Sequence, residues 1–111
     1  MSNSDFSTIT TALLEFRNER DWEQFHNPKD LALAINVEAG ELLEQFLWKE
    51  AGEANPEKVK EELADVLAFS FLLAEKYGWD IKEIVLDKIS KNAAKYPIEK
   101  AKGTSKKYNE L

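Results

Sequence analysis

The amino-acid sequence predicts an all-α protein, a four-helix bundle that forms a single domain over residues 1–111. Apolar residues recur at spacings of three and four in four separate segments, which is the period of an amphipathic helix. Two of these segments open with Asn-Pro, a dipeptide typical of a capped helix start. No run of alternating β-branched residues indicates a strand. A chain of 111 residues suffices for one hydrophobic core.

The first two helices are predicted from their N-terminal signals. Ser4 is the N-cap expected for a helix over about 5–20. A short aromatic connector, DWEQFHN, follows this helix. Asn27 then caps a second helix that starts at Pro28 and is expected to continue to about residue 49.

The third and fourth helices have equally clear ends. Asn55 and Pro56 start a helix that should run to about residue 77, where Gly78 is a natural stop. Asp80, with an acid three residues later, starts a helix to about residue 96, before a proline. The remaining segment, about 97–111, is predicted to be a flexible basic tail.

Composition excludes several classes of protein. With 15 basic and 21 acidic side chains the net charge is −6, which argues against a binder of nucleic-acid polymers or anionic membranes. The chain has no Cys, so it has no disulfide or cysteine nucleophile, and a reducing cytoplasm suits it. No signal peptide is visible, and the apolar run LAFSFLLA is far shorter than the ~20 residues of a membrane span. A soluble cytoplasmic protein is expected.

Two pairs of acids interrupt the apolar faces of helices two and three. Glu38, in NVEAGELLEQ, lies on the apolar stripe of its helix, and Glu41 projects beside it three residues later. Glu62 and Asp65, in EELADVL, repeat this spacing. If the two helices pack together, four carboxylates can meet and hold a hard divalent cation such as Mg²⁺ or Mn²⁺. Pairs of this kind also occur on solvated helix faces, so the residues alone leave both alternatives open.

The order of these acids resembles the ExxE…ExxD signature of the MazG-like all-α nucleoside triphosphate pyrophosphohydrolases. The blocks ERDWEQFH, NVEAGELLEQFLWK, EELADVL and NAAKYP…GTSKKYNEL look like those of the dCTP pyrophosphatase branch. The resemblance implies hydrolysis of a nucleoside triphosphate to the monophosphate and pyrophosphate, with dCTP or a modified deoxynucleotide preferred, in nucleotide-pool house-cleaning. It also implies that Mg²⁺, with Mn²⁺ as a possible substitute, is held by four metal-binding and catalytic residues: Glu38, Glu41, Glu62 and Asp65. Glu41 is the candidate general base.

The resemblance further implies a nucleoside pocket. In the family, the positions that match Trp22, His26 and Trp48 line this pocket. Phe69 matches an aromatic position that is expected to contact the base. Stacking suits these residues because every nucleobase offers a π-face. Packing at a helix junction is the alternative for the aromatic residues, and a structural role is the alternative for the single His.

Three residues of helix four are predicted to bind the rest of the substrate. Lys88, Asn92 and Tyr96 are spaced four apart, so they project from one face. A cation, an amide and a phenol suit phosphate and sugar hydroxyls, and the resemblance implies that they hold substrate. The tail segment KGTSKKY offers a phosphate-contacting loop, with a merely solvated tail as the alternative.

Helix three predicts a homo-oligomer, a dimer or a tetramer built from dimers. Its apolar residues point in more directions than the neighbouring helices of a monomer can cover. They include Leu63, Val66, Phe69, Phe71 and Leu73. Two alternatives to the proposed enzyme stay open: a non-enzymatic helical oligomerisation module, and a pyrophosphohydrolase for another phosphoanhydride substrate.

Overall fold

A computed structural model describes residues 4–111, and within that range every regular element is helical. The prediction of an all-α fold is therefore confirmed. None of the described helices combines the length and apolar character that a bilayer crossing requires. The α-helices are α1 (Asp5–Glu19), α2 (Pro28–Glu44), α3 (Pro56–Tyr77), α4 (Ile81–Lys95) and α5 (Ile98–Ala101). Short 3₁₀ turns lie at Glu23–Phe25, Ala51–Glu53 and Tyr108–Glu110.

The helices start at the capping residues that the sequence predicts. The Ser7 amide donates to Ser4 Oγ over 3.1 Å at the start of α1. Asn27 and Asn55 accept backbone amides through their side chains, and a proline follows each of them in the first turn. Side-chain acceptors satisfy amides that have no partner within the helix, which accounts for these sharp boundaries.

The end of α2 differs from the prediction, which placed it near residue 49 and is wrong by about one turn. After Glu44 the amides of Phe46 and Leu47 bond three residues back, to Leu43 and Glu44, and the helix tightens into turns. Trp48 then takes a left-handed conformation, with φ at 62°. Bulky residues seldom adopt that conformation. Because neither glycine nor proline stands at this position, the sequence carries no local signal that the helix ends here.

Residues up to Trp79 form one compact unit, in which α3 contacts both α1 and α2. Leu31 of α2 is only 1% exposed, and Phe71, Leu72 and Ala74 of α3 are also buried. The Phe71 ring meets the Phe6 ring of α1 edge to face, with centroids 5.8 Å apart. The core therefore lies where α3 packs between the first two helices.

Phe71 is one of the apolar residues of α3 from which an oligomer is predicted. It is buried and is covered by α1 of the same chain. Leu63 and Leu67, in the first half of α3, and Tyr77, at its end, are exposed. Phe71 is covered because α1 is long enough for Phe6, in its first turn, to reach the Phe71 ring.

Asp80–Leu111 form a second unit, made of α4, α5 and the chain beyond them. Within it the Tyr108 ring contacts the Tyr96 ring edge to face, at 6.2 Å between centroids. Lys95 Nζ lies 5.0 Å from the centre of the Tyr108 ring. The basic tail thus includes a short helix and an aromatic contact to the end of α4. The assignment of residues 1–111 to a single domain stays a prediction.

Candidate active site

Three of the four predicted acids meet between α2 and α3. Glu38 and Glu41 lie one turn apart on α2, and Glu62 comes from the facing helix α3. One carboxylate oxygen from each residue lies within 4.8 Å of the other two. We call these three residues the acid cluster.

Asp65, the fourth predicted acid, contributes no oxygen to that group of three. It lines a neighbouring cavity, described below, one turn after Glu62. Its charge still contributes to the raised pKa values of Glu38 and Glu62. Asp65 therefore lies between the acid cluster and the cavity, and its place among the metal ligands stays a prediction.

The acids perturb one another strongly. Burial raises the pKa of Glu38 to about 7, and a hydrogen bond with Glu41 and the charges of Glu41, Asp65 and Glu62 act in the same direction. The pKa of Glu62 is also raised, first by burial and then by the charge of Glu41. Like charges this close destabilise the fully ionised cluster unless a proton or a cation is shared among them.

Two oxygen atoms of the cluster are suited to bind a cation. Glu38 Oε2 and Glu62 Oε2 are buried, and neither has a hydrogen-bond partner within residues 4–111. A buried carboxylate oxygen without a partner is costly, and coordination to a metal ion removes that cost. An all-oxygen set of ligands suits Mg²⁺ or Mn²⁺ better than Zn²⁺. The residues present therefore fit a hard divalent cation.

A cavity of about 340 Å³ lies between α1, the connector and α3. The cavity is lined by Asp65 and by three residues that are predicted to contact the base: Trp22, His26 and Phe69. The other lining residues are Leu13, Phe16, Arg17, Ala68 and Leu72. A mostly apolar cavity with a few polar groups is the usual form of a small-molecule site.

Aromatic contacts hold the walls of this cavity. The Trp22 ring meets the Phe16 ring edge to face at 5.7 Å, and the His26 ring meets the Phe69 ring in the same manner at 6.4 Å. Both contacts join the connector to a helix, so they fix Trp22 and His26 beside the opening between helices. Packing and base contact are thus compatible roles for these residues.

The surroundings of His26 favour its neutral form. Burial lowers its pKa, and the positive charges of Arg17 and Lys76 lower it further. Its Nδ1 is buried, with no hydrogen-bond partner in the described part of the chain. A neutral imidazole with a free ring nitrogen can bond to a ligand in the cavity.

The other predicted substrate residues lie elsewhere. Trp48 is 94% exposed in the turn after α2 and does not line the cavity. Lys88, Asn92 and Tyr96 belong to the second unit, the first two exposed on α4 and Tyr96 at its end. Their contribution to a substrate site stays a prediction.

Sequence reasoning missed Arg17, a buried cation that lines the cavity. A signal for it was present. Arg17 follows Leu13 by four residues, so it continues an apolar stripe of α1 in the same way that Glu38 interrupts the stripe of α2. A charge on an apolar stripe was the informative pattern in both helices.

Comparison with known proteins decides the family. The model of the MazG-like family matches residues 33–111, which include the acid cluster and all of α3 and α4. The chain belongs to the MazG-like family. This confirms the resemblance drawn from the ExxE and ExxD motifs.

Relatives of this MazG-like chain agree with that assignment. It is 44% identical over 105 residues to dCTP pyrophosphatase 1 of Homo sapiens and 40% identical to the protein of that name from Rattus norvegicus. These matches cover 87% of this chain and 62% of either relative, so the chain spans less than two thirds of their length. A crystal structure of a pyrophosphatase from Archaeoglobus fulgidus DSM 4304 superposes with a TM-score of 0.80 at 35% identity, covering 87% of this chain and 96% of that one.

Proposed function

We propose that this MazG-like chain is a Mg²⁺-dependent nucleoside triphosphate pyrophosphohydrolase that converts a (d)NTP and water to the (d)NMP and pyrophosphate. The observation that carries the proposal is the acid cluster, with two buried carboxylate oxygens that have no partner in the described residues, beside an aromatic cavity. A preference for dCTP, or a modified form of it, is supported by the names of the human and rat relatives.

The proposed roles follow from the positions of the residues. Glu38, Glu41, Glu62 and Asp65 would hold the cation, which when bound supplies positive charge that offsets the charge developing on the departing pyrophosphate. Glu41 is the candidate to accept a proton from the attacking water as the α–β phosphoanhydride bond breaks. The carboxylates thereby keep the water and the triphosphate in one place, which supplies much of the rate increase.

The cavity supplies the nucleoside end of the proposed site. Trp22 and Phe69 offer aromatic faces to a base, and Asp65 lies on the same wall as Phe69. Because Asp65 also acts electrostatically on the acid cluster, a nucleotide could place its base in the cavity and its phosphates toward the carboxylates. In this arrangement one wall of α3 contacts both ends of the substrate.

A panel of nucleoside triphosphates tests the proposal. We expect pyrophosphate release from dCTP with Mg²⁺, and much slower release from purine triphosphates. Faster cleavage of purines would refute the dCTP preference and keep the reaction class. Cleavage of only a different phosphoanhydride would favour a pyrophosphohydrolase for another substrate. No cleavage of any substrate would favour a non-enzymatic helical oligomerisation module.

Replacing Trp22 by alanine should raise KM more than it lowers kcat. Base stacking stabilises the bound substrate and the transition state about equally, and its loss should raise KM roughly tenfold. Steady-state kinetics with dCTP measure this split. Trp79→Ala is the matched control, because Trp79 is half exposed and stacks on Tyr77 instead of lining the cavity. A fall in kcat with unchanged KM in Trp22→Ala would indicate a structural role.

We further propose that the working form is a homo-oligomer, most simply a tetramer built from dimers. Apolar residues of α2 support this, since Val37 is 58% exposed and Leu43 is 69% exposed, beyond the scattered exposure of a typical monomer helix. Sedimentation at micromolar concentration should show a species of about four times the 12.7 kDa chain. An active particle near the mass of one chain would refute the oligomer, and an active dimer would refute only the tetramer.

A further inference from the structure

Arg17 is the one charged residue among the core residues of the described chain. It is 5% exposed, lies near the end of α1 and lines the cavity. Its Nε donates a hydrogen bond to Asn18 Oδ1 over 3.0 Å. A buried cation needs partners, so the neighbours of its two terminal nitrogens decide what it can do.

Two carboxylates fix the orientation of the guanidinium. Nη1 lies 3.6 Å from Glu75 of α3, and Nη2 lies 3.6 Å from Glu23 of the connector. Glu23 is shared, because Lys76 Nζ lies 3.5 Å from its other oxygen. The guanidinium is therefore held by charges from two elements, but at distances longer than an ordinary N–H···O bond.

The terminal nitrogens keep hydrogen-bonding capacity. Within residues 4–111, neither Nη1 nor Nη2 makes a hydrogen bond, although an arginine fork carries four N–H groups on these two atoms. Leu13, Phe16 and Leu72 line the cavity with apolar side chains, and the acceptors of Asp65 and His26, which also line it, make no hydrogen bond with Arg17. A ligand in the cavity can therefore supply acceptors to these nitrogens.

We propose that Arg17 is a specificity-determining residue that donates two parallel hydrogen bonds to the adjacent acceptors O2 and N3 of a cytosine base. The inference rests on the proposed function, since it takes the cavity as the site of the base. The proposal adds Arg17 to the site. It also gives a physical reason for a cytosine preference, which the acid cluster and the aromatic walls do not provide.

The geometry of pyrimidines explains the selectivity. Cytosine presents O2 and N3 as neighbouring acceptors, which match the planar fork of a guanidinium. Thymine and uracil carry a proton on N3, so one N–H of the fork would face another donor. In an apolar cavity that leaves two buried donors without partners, and such sites discriminate strongly.

The rival role for Arg17 is purely structural, because its ion pairs join α1 to the connector and to α3. The two roles differ in what a substitution changes. A structural role predicts equal losses for every base and a lower melting temperature. Base recognition predicts a loss that depends on the base, even when the fold is kept.

The experiment compares Arg17→Met and Arg17→Lys with the wild type, using dCTP and dTTP. We expect Arg17→Met to lower kcat/KM for dCTP by roughly 10- to 100-fold and for dTTP by less than about threefold. Arg17→Lys keeps a cation for Glu23 and Glu75 but has no fork, so it should fold and still lose most of the discrimination. Arg20→Met is the control, because Arg20 is exposed and does not line the cavity.

Equilibrium binding of dCMP and dTMP, followed by tryptophan fluorescence, provides a second measurement that requires no turnover. Tighter binding of dCMP by the wild type, lost in Arg17→Lys, supports the inference. Equal losses for both bases, or a wild type that does not favour cytosine, overturn it. Absence of triphosphate hydrolysis by the wild type would instead refute the proposed function, and the binding measurement would still decide the role of Arg17.

Discussion

Glutamine in place of Glu38 or Glu62 is expected to slow pyrophosphate release from dCTP by roughly 10²-fold or more, the usual result of losing a preorganised charge at the transition state. Each of these residues has a buried carboxylate oxygen with no partner in the described residues, so each contributes an oxygen that only a cation would use. The amide has nearly the same shape, and the helices should be retained. Initial rates at saturating Mg²⁺ and dCTP provide the measurement.

Glu44→Gln is the matched control for this experiment. Glu44 is the last residue of α2, it is exposed, and it is outside the acid cluster. The same chemical change there should leave the rate within about twofold, as is usual for exposed surface substitutions. Near-normal activity in both Glu38→Gln and Glu62→Gln would contradict the proposed role of the acid cluster.

Removal of divalent cations should abolish turnover and lower the melting temperature, most strongly at alkaline pH. The folded protein without metal binds a proton at Glu38, whose pKa of about 7 exceeds its ordinary value of 4.5. The stabilisation from that proton is fully present below about pH 4.5 and is lost as the pH rises through 7. A divalent cation replaces the proton, so Mg²⁺ should raise the melting temperature more at pH 8 than at pH 6.

Melting curves of the wild type and Glu38→Gln, with EDTA or Mg²⁺ at both pH values, measure this effect. Without metal, Glu38→Gln should melt higher than the wild type at pH 8, because one of the repelling charges is gone. The comparison between the two proteins also removes the contribution of His26, whose lowered pKa makes the protein less stable as the pH falls below about 6.5. An equal Mg²⁺ shift in both proteins would show that the ion binds outside the acid cluster.

Helix starts were predictable because they depend on local chemistry. Asn27, Asn55 and Asp80 each accept an amide two or three residues later, and a proline or an acid in the first turn reinforces the signal. The acids were predictable for a related reason. Burying a carboxylate on an apolar stripe, such as that of Glu38, costs free energy unless a partner compensates its charge. Its presence there therefore indicates a functional site.

Features that depend on distant parts of the chain were not predictable. The turn at Trp48 places a bulky side chain in a left-handed conformation, against its local preference. The burial of Phe71 depends on where Phe6 arrives, 65 positions earlier in the sequence. Arg17 could be noticed on its stripe, but its pairing with Glu23 and Glu75 requires the packing of α1 on α3.

The separate position of Asp65 is a finding of the same kind. Spacing alone made Glu62 and Asp65 equivalent to Glu38 and Glu41, since both pairs are three residues apart. The crossing of α2 and α3 decides which oxygens meet, and it brings Glu62 to the cluster while Asp65 lines the cavity. A heptad or turn count on one helix carries no information about where the facing helix crosses.

Identification of the products formed from dCTP tests the central claim most directly. Phosphorus NMR of a reaction with Mg²⁺ should show dCMP and pyrophosphate appearing in equal amounts, without orthophosphate. With Glu38→Gln the same products should appear roughly 10²-fold or more slowly. Appearance of dCDP with orthophosphate, or unchanged dCTP with the wild-type protein, would contradict the assignment of this chain as a nucleoside triphosphate pyrophosphohydrolase.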